Sequence, residues 1–165
     1  MKKTVFILAL VTGLALVFAC KTQPKVAEPA TPEDARAEAR KKMYDQYGPD
    51  LILDGAETYT VQPGDSLVHI AQAKYGQVDG GWKHAGFDYP LIMLATNMII
   101  DPDKIEPGME LSIPDLRRNL DNPGAKAALG KLLEGFAAIE EEHGRHDTAE
   151  GMRARAAELE NSAEE

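Results

Sequence analysis

Two short β-prone runs bound what this chain can fold into. Tyr59-Thr60-Val61 enters Gln62-Pro63-Gly64, which turns the chain, and Glu110-Leu111-Ser112-Ile113 alternates polar and apolar until Pro114 stops it. Between them the apolar rhythm changes twice to helical spacing. Leu67, Ile70, Ala71 and Tyr75, with the stem of Lys74, follow one helical face; Asp65 reads as its N-cap and Gly76 as a left-handed stop. A second helix is predicted from Pro90, at its first position, through Leu91, Leu94, Ala95 and Met98. The stretch between the helices, Gln77 to Asp88, is glycine-rich but carries Trp82 and Phe87, and reads as a loop or a short helical turn held by aromatics. Strand, helix, helix, strand in fewer than sixty residues predicts an α+β unit of βααβ order: a two-stranded antiparallel sheet with two helices on one face, covering residues 58–115.

Helical segments flank this unit. Thr31 is predicted to cap a helix over residues 33–48, with Pro32 at its first position and Glu33 and Asp34 in its first turn. Ala35, Ala39, Met43 and Tyr47 form a modest stripe, and Arg36, Arg40, Lys41 and Lys42 read as a solvated face. Residues 119–162 predict a helical hairpin. Asn122-Pro123 opens its first helix, Leu129, Leu132, Leu133, Phe136 and Ile139 make its stripe, and Gly144 closes it. Asp147 with Glu150 has capping-box spacing, ahead of a weaker stripe of Ala149, Met152, Ala156 and Leu159. The first stripe needs a partner surface: the helix from Pro32 to Tyr47, or another protein.

The N-terminus predicts export. Lys2 and Lys3 precede an apolar run from Thr4 to Phe18, too short for a comfortable bilayer span, so residues 1–19 read as a signal peptide. Val17-Phe18-Ala19-Cys20 resembles the lipobox of bacterial lipoproteins. That resemblance implies cleavage before Cys20, acylation of its thiol and membrane attachment through the acyl chains, with residues 20–32 as a proline-rich tether. Cys20 is the only cysteine, so no intramolecular disulfide is possible. The implied location is the bacterial cell envelope, facing the periplasm or wall. The chain has 18 basic and 27 acidic residues, net −9; losing Lys2 and Lys3 lowers this by two to −11. That charge speaks against nucleic acid as a partner.

No catalytic constellation is legible. Ser66 lacks a paired histidine and acid and lies outside a nucleophile-elbow pattern. Asp101 and Asp103 flank Pro102, which reads as turn chemistry rather than a glycosidase pair. His143 and His146 straddle a helix end at Gly144, an undefined geometry for a metal. His69 and His84 are isolated. Trp82 either stacks on a sugar or anchors its own loop to the core. No enzyme activity, cofactor or metal is expected.

Residues from about Thr58 to Asp115 resemble the LysM domain. The resemblance is carried by Tyr59-Thr60-Val61, Pro63-Gly64-Asp65-Ser66-Leu67, Ile70-Ala71, Tyr75-Gly76, Leu94-Ala95-Thr96-Asn97, Asp101-Pro102-Asp103-Lys104-Ile105, Pro107-Gly108 and Leu111-Ser112-Ile113-Pro114. Three places depart from the family: the loop between the helices is longer than usual, Glu106 stands where an aromatic is frequent, and Met109-Glu110 follows Pro-Gly. The resemblance implies the βααβ fold and binding of N-acetylglucosamine-containing polymers, mainly peptidoglycan. It also implies a shallow groove, one wall from Gly64, Asp65, Ser66 and Leu67 and the other from Met98, Ile99, Ile100, Asp101, Pro102 and Ile105. The expected function is a non-catalytic, lipid-anchored cell-wall-binding protein. The alternative is an envelope adaptor whose helical tail binds a protein partner.

Overall fold

A helix whose first amides lack carbonyl partners needs a side chain to supply one, and Thr31 does so for the first helix. Its hydroxyl accepts from the Asp34 N–H at 3.1 Å, and the Asp34 carboxylate accepts from the Thr31 N–H at 2.8 Å, a reciprocal capping box. In this computed structural model residues 31–78, 81–96 and 101–162 are described. Cys20 and the predicted leader and tether lie outside them. From the cap runs α1 (Pro32–Tyr47), then a 3₁₀ turn at Gly48–Asp50, β1 (Glu57–Thr60), α2 (Leu67–Tyr75), a second 3₁₀ turn at Ala85–Asp88 and α3 (Tyr89–Ala95). β2 (Glu110–Ile113) follows, then α4 (Leu116–Leu120), α5 (Pro123–Glu142) and α6 (His146–Asn161).

The two strands pair antiparallel, with Glu57 opposite Ile113 and Thr60 opposite Glu110. The expected α+β architecture is therefore present: a two-stranded sheet, α2 and α3, an N-terminal helix and a C-terminal hairpin. Leu111 and Ile113 alternate inward and join Leu67, Ile70, Ala71, Leu91 and Ile92 in the core. The end of α3 is tied to β2 by Thr96, whose hydroxyl accepts from the Ser112 N–H at 2.9 Å. The short α4 is missing from the sequence reading. It places Asn119 so that its side-chain amide accepts from the Ile52 N–H and donates to the Ile52 carbonyl, both at 2.9 Å.

Asn122 caps α5 as expected, accepting from the Ala125 N–H at 3.0 Å, and Gly144 closes it at φ +74. The Leu129 to Ile139 stripe is buried. It is covered within the chain, by α6 and by α1. The sequence reading of α1 is corrected here. Arg40 is not on a solvated face; it is buried beside Tyr44 and pairs with the buried Glu140 of α5, its guanidinium also lying 5.9 Å from the Phe136 ring. Two caps are also corrected. Gly76 is right-handed, at φ −62. α6 begins at His146 after Arg145, with no side-chain cap, so Asp147 sits inside its first turn.

The long inter-helix loop docks the hairpin onto the sheet unit. Gln72 pins it, donating to the Trp82 carbonyl at 3.2 Å and accepting from the Gly86 N–H at 2.8 Å. The loop then meets α6. Arg155 Nε donates to both oxygens of Asp88 at 3.0 and 2.9 Å, its guanidinium lies 4.5 Å from the Trp82 ring, and His84 Nδ1 is 2.6 Å from Glu158 Oε1. Trp82 is thus an anchor between two parts of the chain. The Phe87 ring lies over Gly151, where an added Cβ would come within 2.0 Å of its edge. Gly151→Ala is expected to destabilise the protein by about 1–3 kcal/mol in urea unfolding, because the ring must leave its place. Combining it with Phe87→Ala should cost less than the sum of the two single changes.

Candidate functional site

Both Pro-Gly pairs fold as the same turn. The Asp65 N–H donates to the Gln62 carbonyl at 3.1 Å around Pro63-Gly64, and the Met109 N–H donates to the Glu106 carbonyl at 3.0 Å around Pro107-Gly108. Gly64 has φ +90 and Gly108 φ +91, the third-position conformation of a type II turn that glycine adopts without strain. The turns lie side by side at one end of the sheet: the Gly108 N–H donates to the Val61 carbonyl at 2.8 Å, and the Val61 N–H donates to the Met109 carbonyl at 2.9 Å. Nothing stands within 4 Å of where a Cβ would be on either glycine, so backbone is presented openly there.

Behind the first turn, Asp65 and Ser66 divide two tasks. Asp65 is not the N-cap. Its Oδ2 accepts from the Gln62 N–H and from the Tyr59 hydroxyl, both at 2.7 Å, which braces the turn against β1. The Gln62 N–H above all, and then the Tyr59 hydroxyl, hold this carboxyl below the usual carboxylate range. Ser66 is the cap, its hydroxyl accepting from the His69 N–H at 3.3 Å. Leu67 is buried, so its side chain belongs to the core and not to a groove wall.

The second loop begins with an aspartate turn: the Asp103 N–H donates to Asp101 Oδ1 at 3.0 Å and the Lys104 N–H to the Asp101 carbonyl at 3.2 Å. The turn reading of Asp101-Pro102-Asp103 thus holds. Lys104 Nζ lies 3.3 Å from Asp101 Oδ2. Partial burial pushes Asp101 up, but the Asp103 N–H and the side-chain hydrogen bonds together outweigh it and hold the carboxyl below its ordinary value. Pro102 is buried and Ile105 packs against the core from a half-buried position. Met98, Ile99 and Ile100 lie outside the described residues.

Of the residues singled out from sequence, Gly64, Asp65 and Ser66 share one turn, and Asp101, Pro102 and Ile105 lie on the loop leading to its twin. Sequence reasoning passed over Met109 as a departure. It is 36% exposed, the large hydrophobic left open among the described residues, and follows directly on Gly108. Its signal was an apolar residue that the alternation of β2 does not bury. The two tail histidines make local contacts: His143 Nδ1 lies 2.7 Å from the Ile139 carbonyl oxygen and His146 Nδ1 2.6 Å from Glu141 Oε1.

Compared with known families, residues 59–114 match the LysM domain. This segment is a LysM domain. No curated protein matches the chain, and no solved structure does. LysM domains are binding modules for carbohydrate, including peptidoglycan. The matched span opens at Tyr59, which braces the first turn, and closes at Pro114, which ends β2. It therefore encloses both Pro-Gly turns. The helices α1, α4, α5 and α6 lie outside the LysM domain, yet Arg145 and Glu33 reach back to its second loop.

Proposed function

We infer that the chain is a non-catalytic envelope protein whose LysM domain holds a glycan containing N-acetylglucosamine, peptidoglycan being the best candidate, at the end of the sheet where the two Pro-Gly turns meet. The pairing of those turns is the observation that supports this most directly. An N-acetyl group needs a hydrogen-bond donor, an acceptor and a small apolar contact. Gly64 and Gly108 expose backbone, Ser66 heads a helix, and Met109 offers apolar surface beside them. Cys20, closing an apolar leader, supports attachment to a membrane through acyl chains. Attachment raises the local concentration of wall polymer, so modest affinity per site suffices.

The test is sedimentation with insoluble peptidoglycan. The full chain is expected in the pellet; if it stays in the supernatant while another LysM protein sediments, the glycan reading fails. The anchor is read in the same preparations by detergent phase partition. Cys20→Ser should move the protein to the aqueous phase, and no change between the two forms would refute acylation.

A second reading, an adaptor whose tail binds a protein, was motivated by the Leu129 to Ile139 stripe, which is buried inside the chain. It retains one observation, a groove of about 540 Å³ lined by Leu120, Pro123, Ala127, Gly130 and Leu159 and also by the charged Lys126, Lys131, Glu134 and Glu160. Failure of sedimentation would bring this reading forward.

A further inference from the structure

Two basic groups tie the loop Asp101–Ile105 to helices outside the LysM domain. Arg145, at the turn between α5 and α6, donates from Nη1 to Asp103 Oδ2 at 2.9 Å. Lys104 pairs with Glu33 in the first turn of α1. The contacts differ in quality. The Lys104 pair is well exposed on both sides, and such pairs order little. Arg145 is only 32% exposed, against 64% for its acceptor Asp103, and its Nε lies 3.3 Å from Oε2 of the fully buried Glu140, whose other oxygen accepts from Arg40. Its backbone is fixed too, the Arg145 N–H donating to the Glu140 carbonyl at 2.9 Å. The arginine is thus held on the tail side before it reaches the loop, and little side-chain entropy remains to be lost there.

We propose that Arg145 is a positioning residue for the LysM glycan site, the α5–α6 hairpin acting as a brace that sets the loop Asp101–Ile105 against the Gly64 turn. This rests on the glycan reading above. It assigns the tail a role inside the binding site, and makes affinity depend on a residue outside the LysM domain. The loop itself runs directly into Glu106-Pro107-Gly108-Met109, whose backbone is hydrogen-bonded to Val61 just ahead of the first turn, which is the route by which a displaced Asp103 would reach the shared face.

The experiment is a titration of the full chain with a tetramer of N-acetylglucosamine, followed by amide NMR. For Arg145→Ala, the free protein should show shifted Asp101–Ile105 amides with Gly64–Ser66 in place, and the Kd should rise about three- to tenfold. Arg145→Lys should recover most of the affinity. Asp103→Asn, which leaves the Glu140 cluster intact, should reproduce the loss if Arg145→Ala disturbs the tail. Should wild type bind while Arg145→Ala and Asp103→Asn bind equally well, the brace is overturned and the glycan reading stands. Should wild type fail to bind both the tetramer and sedimented peptidoglycan, the glycan reading falls and the brace with it.

Discussion

Replacing Arg155 with leucine is expected to lower the unfolding free energy by about 3–5 kcal/mol near pH 8, and by clearly less near pH 5. Arg155 and Asp88 are both fully buried, so the variant strands a carboxylate in the interface between the hairpin and the LysM domain. Burial already pushes Asp88 up to about 6, against the charge and hydrogen bond of Arg155, which lower it. An acid whose folded pKa is raised binds protons more tightly in the native state than in the unfolded chain, where its value is about 3.9. Its contribution to stability is fully present below the unfolded value and is lost as pH rises through the folded one. Without Arg155 the lowering causes vanish and the folded value climbs further. The deficit must then grow with pH and shrink where Asp88 takes up a proton. Glu158 also loses a partner in the variant, the Arg155 Nη1 donor at 3.3 Å, but it is partly exposed and keeps His84 at 2.6 Å, so the larger share of the deficit falls on Asp88. Urea unfolding at both pH values checks this, and a deficit equal at both would contradict it. Asp88→Leu combined with Arg155→Leu should recover most of the loss, since no charge is then stranded.

The second large effect is expected at Arg40. Arg40→Leu leaves Glu140 buried with Arg145 at 3.3 Å as its one remaining cation among the described residues, and should cost about 3 kcal/mol or more. The change should be local before it is global. α1 reaches the rest of the chain mainly through α5, so its amides should exchange at the level of a separate opening while α5 and the LysM domain stay protected. Lys41→Ala and Lys42→Ala, in exposed pairs with Asp45 and Glu38, should stay within about 0.5 kcal/mol of wild type. Equal losses at Arg40 and Lys41 would show that α1 has no buried ionic anchor.

The contrast between those neighbours marks where sequence reading succeeds. Periodicity counts apolar side chains, so the strands, α2, α3 and the Leu129 to Ile139 face were legible. The charged residues that fasten the parts together were not. Arg40 and Glu140 are a hundred positions apart, and Asp88 and Arg155 sixty-seven, so nothing local distinguishes them from solvated charge. Glu33, Asp103, Lys104 and Arg145 escaped for the same reason. At the first turn the sequence reading gave the cap of α2 to Asp65, and its neighbour Ser66 holds it instead. The choice was made by Tyr59, whose hydroxyl claims Asp65 and leaves the cap to Ser66. The Pro-Gly turns were legible singly, but their contact needs the strand register.

The same hundred-residue separation has a consequence for synthesis. α1 leaves the ribosome long before Glu140 exists, and meanwhile carries the buried-side groups Arg40 and Tyr44 without the surface that receives them. The LysM domain, its strands pairing Glu57 with Ile113, can close earlier in the emerging chain. The hairpin comes last, and its arrival settles α1 and the inter-helix loop in one step. A chain truncated between Pro114 and Arg155 would thus release paired LysM strands with the inter-helix loop and α1 still uncovered, exposing the apolar faces that protein quality control recognises.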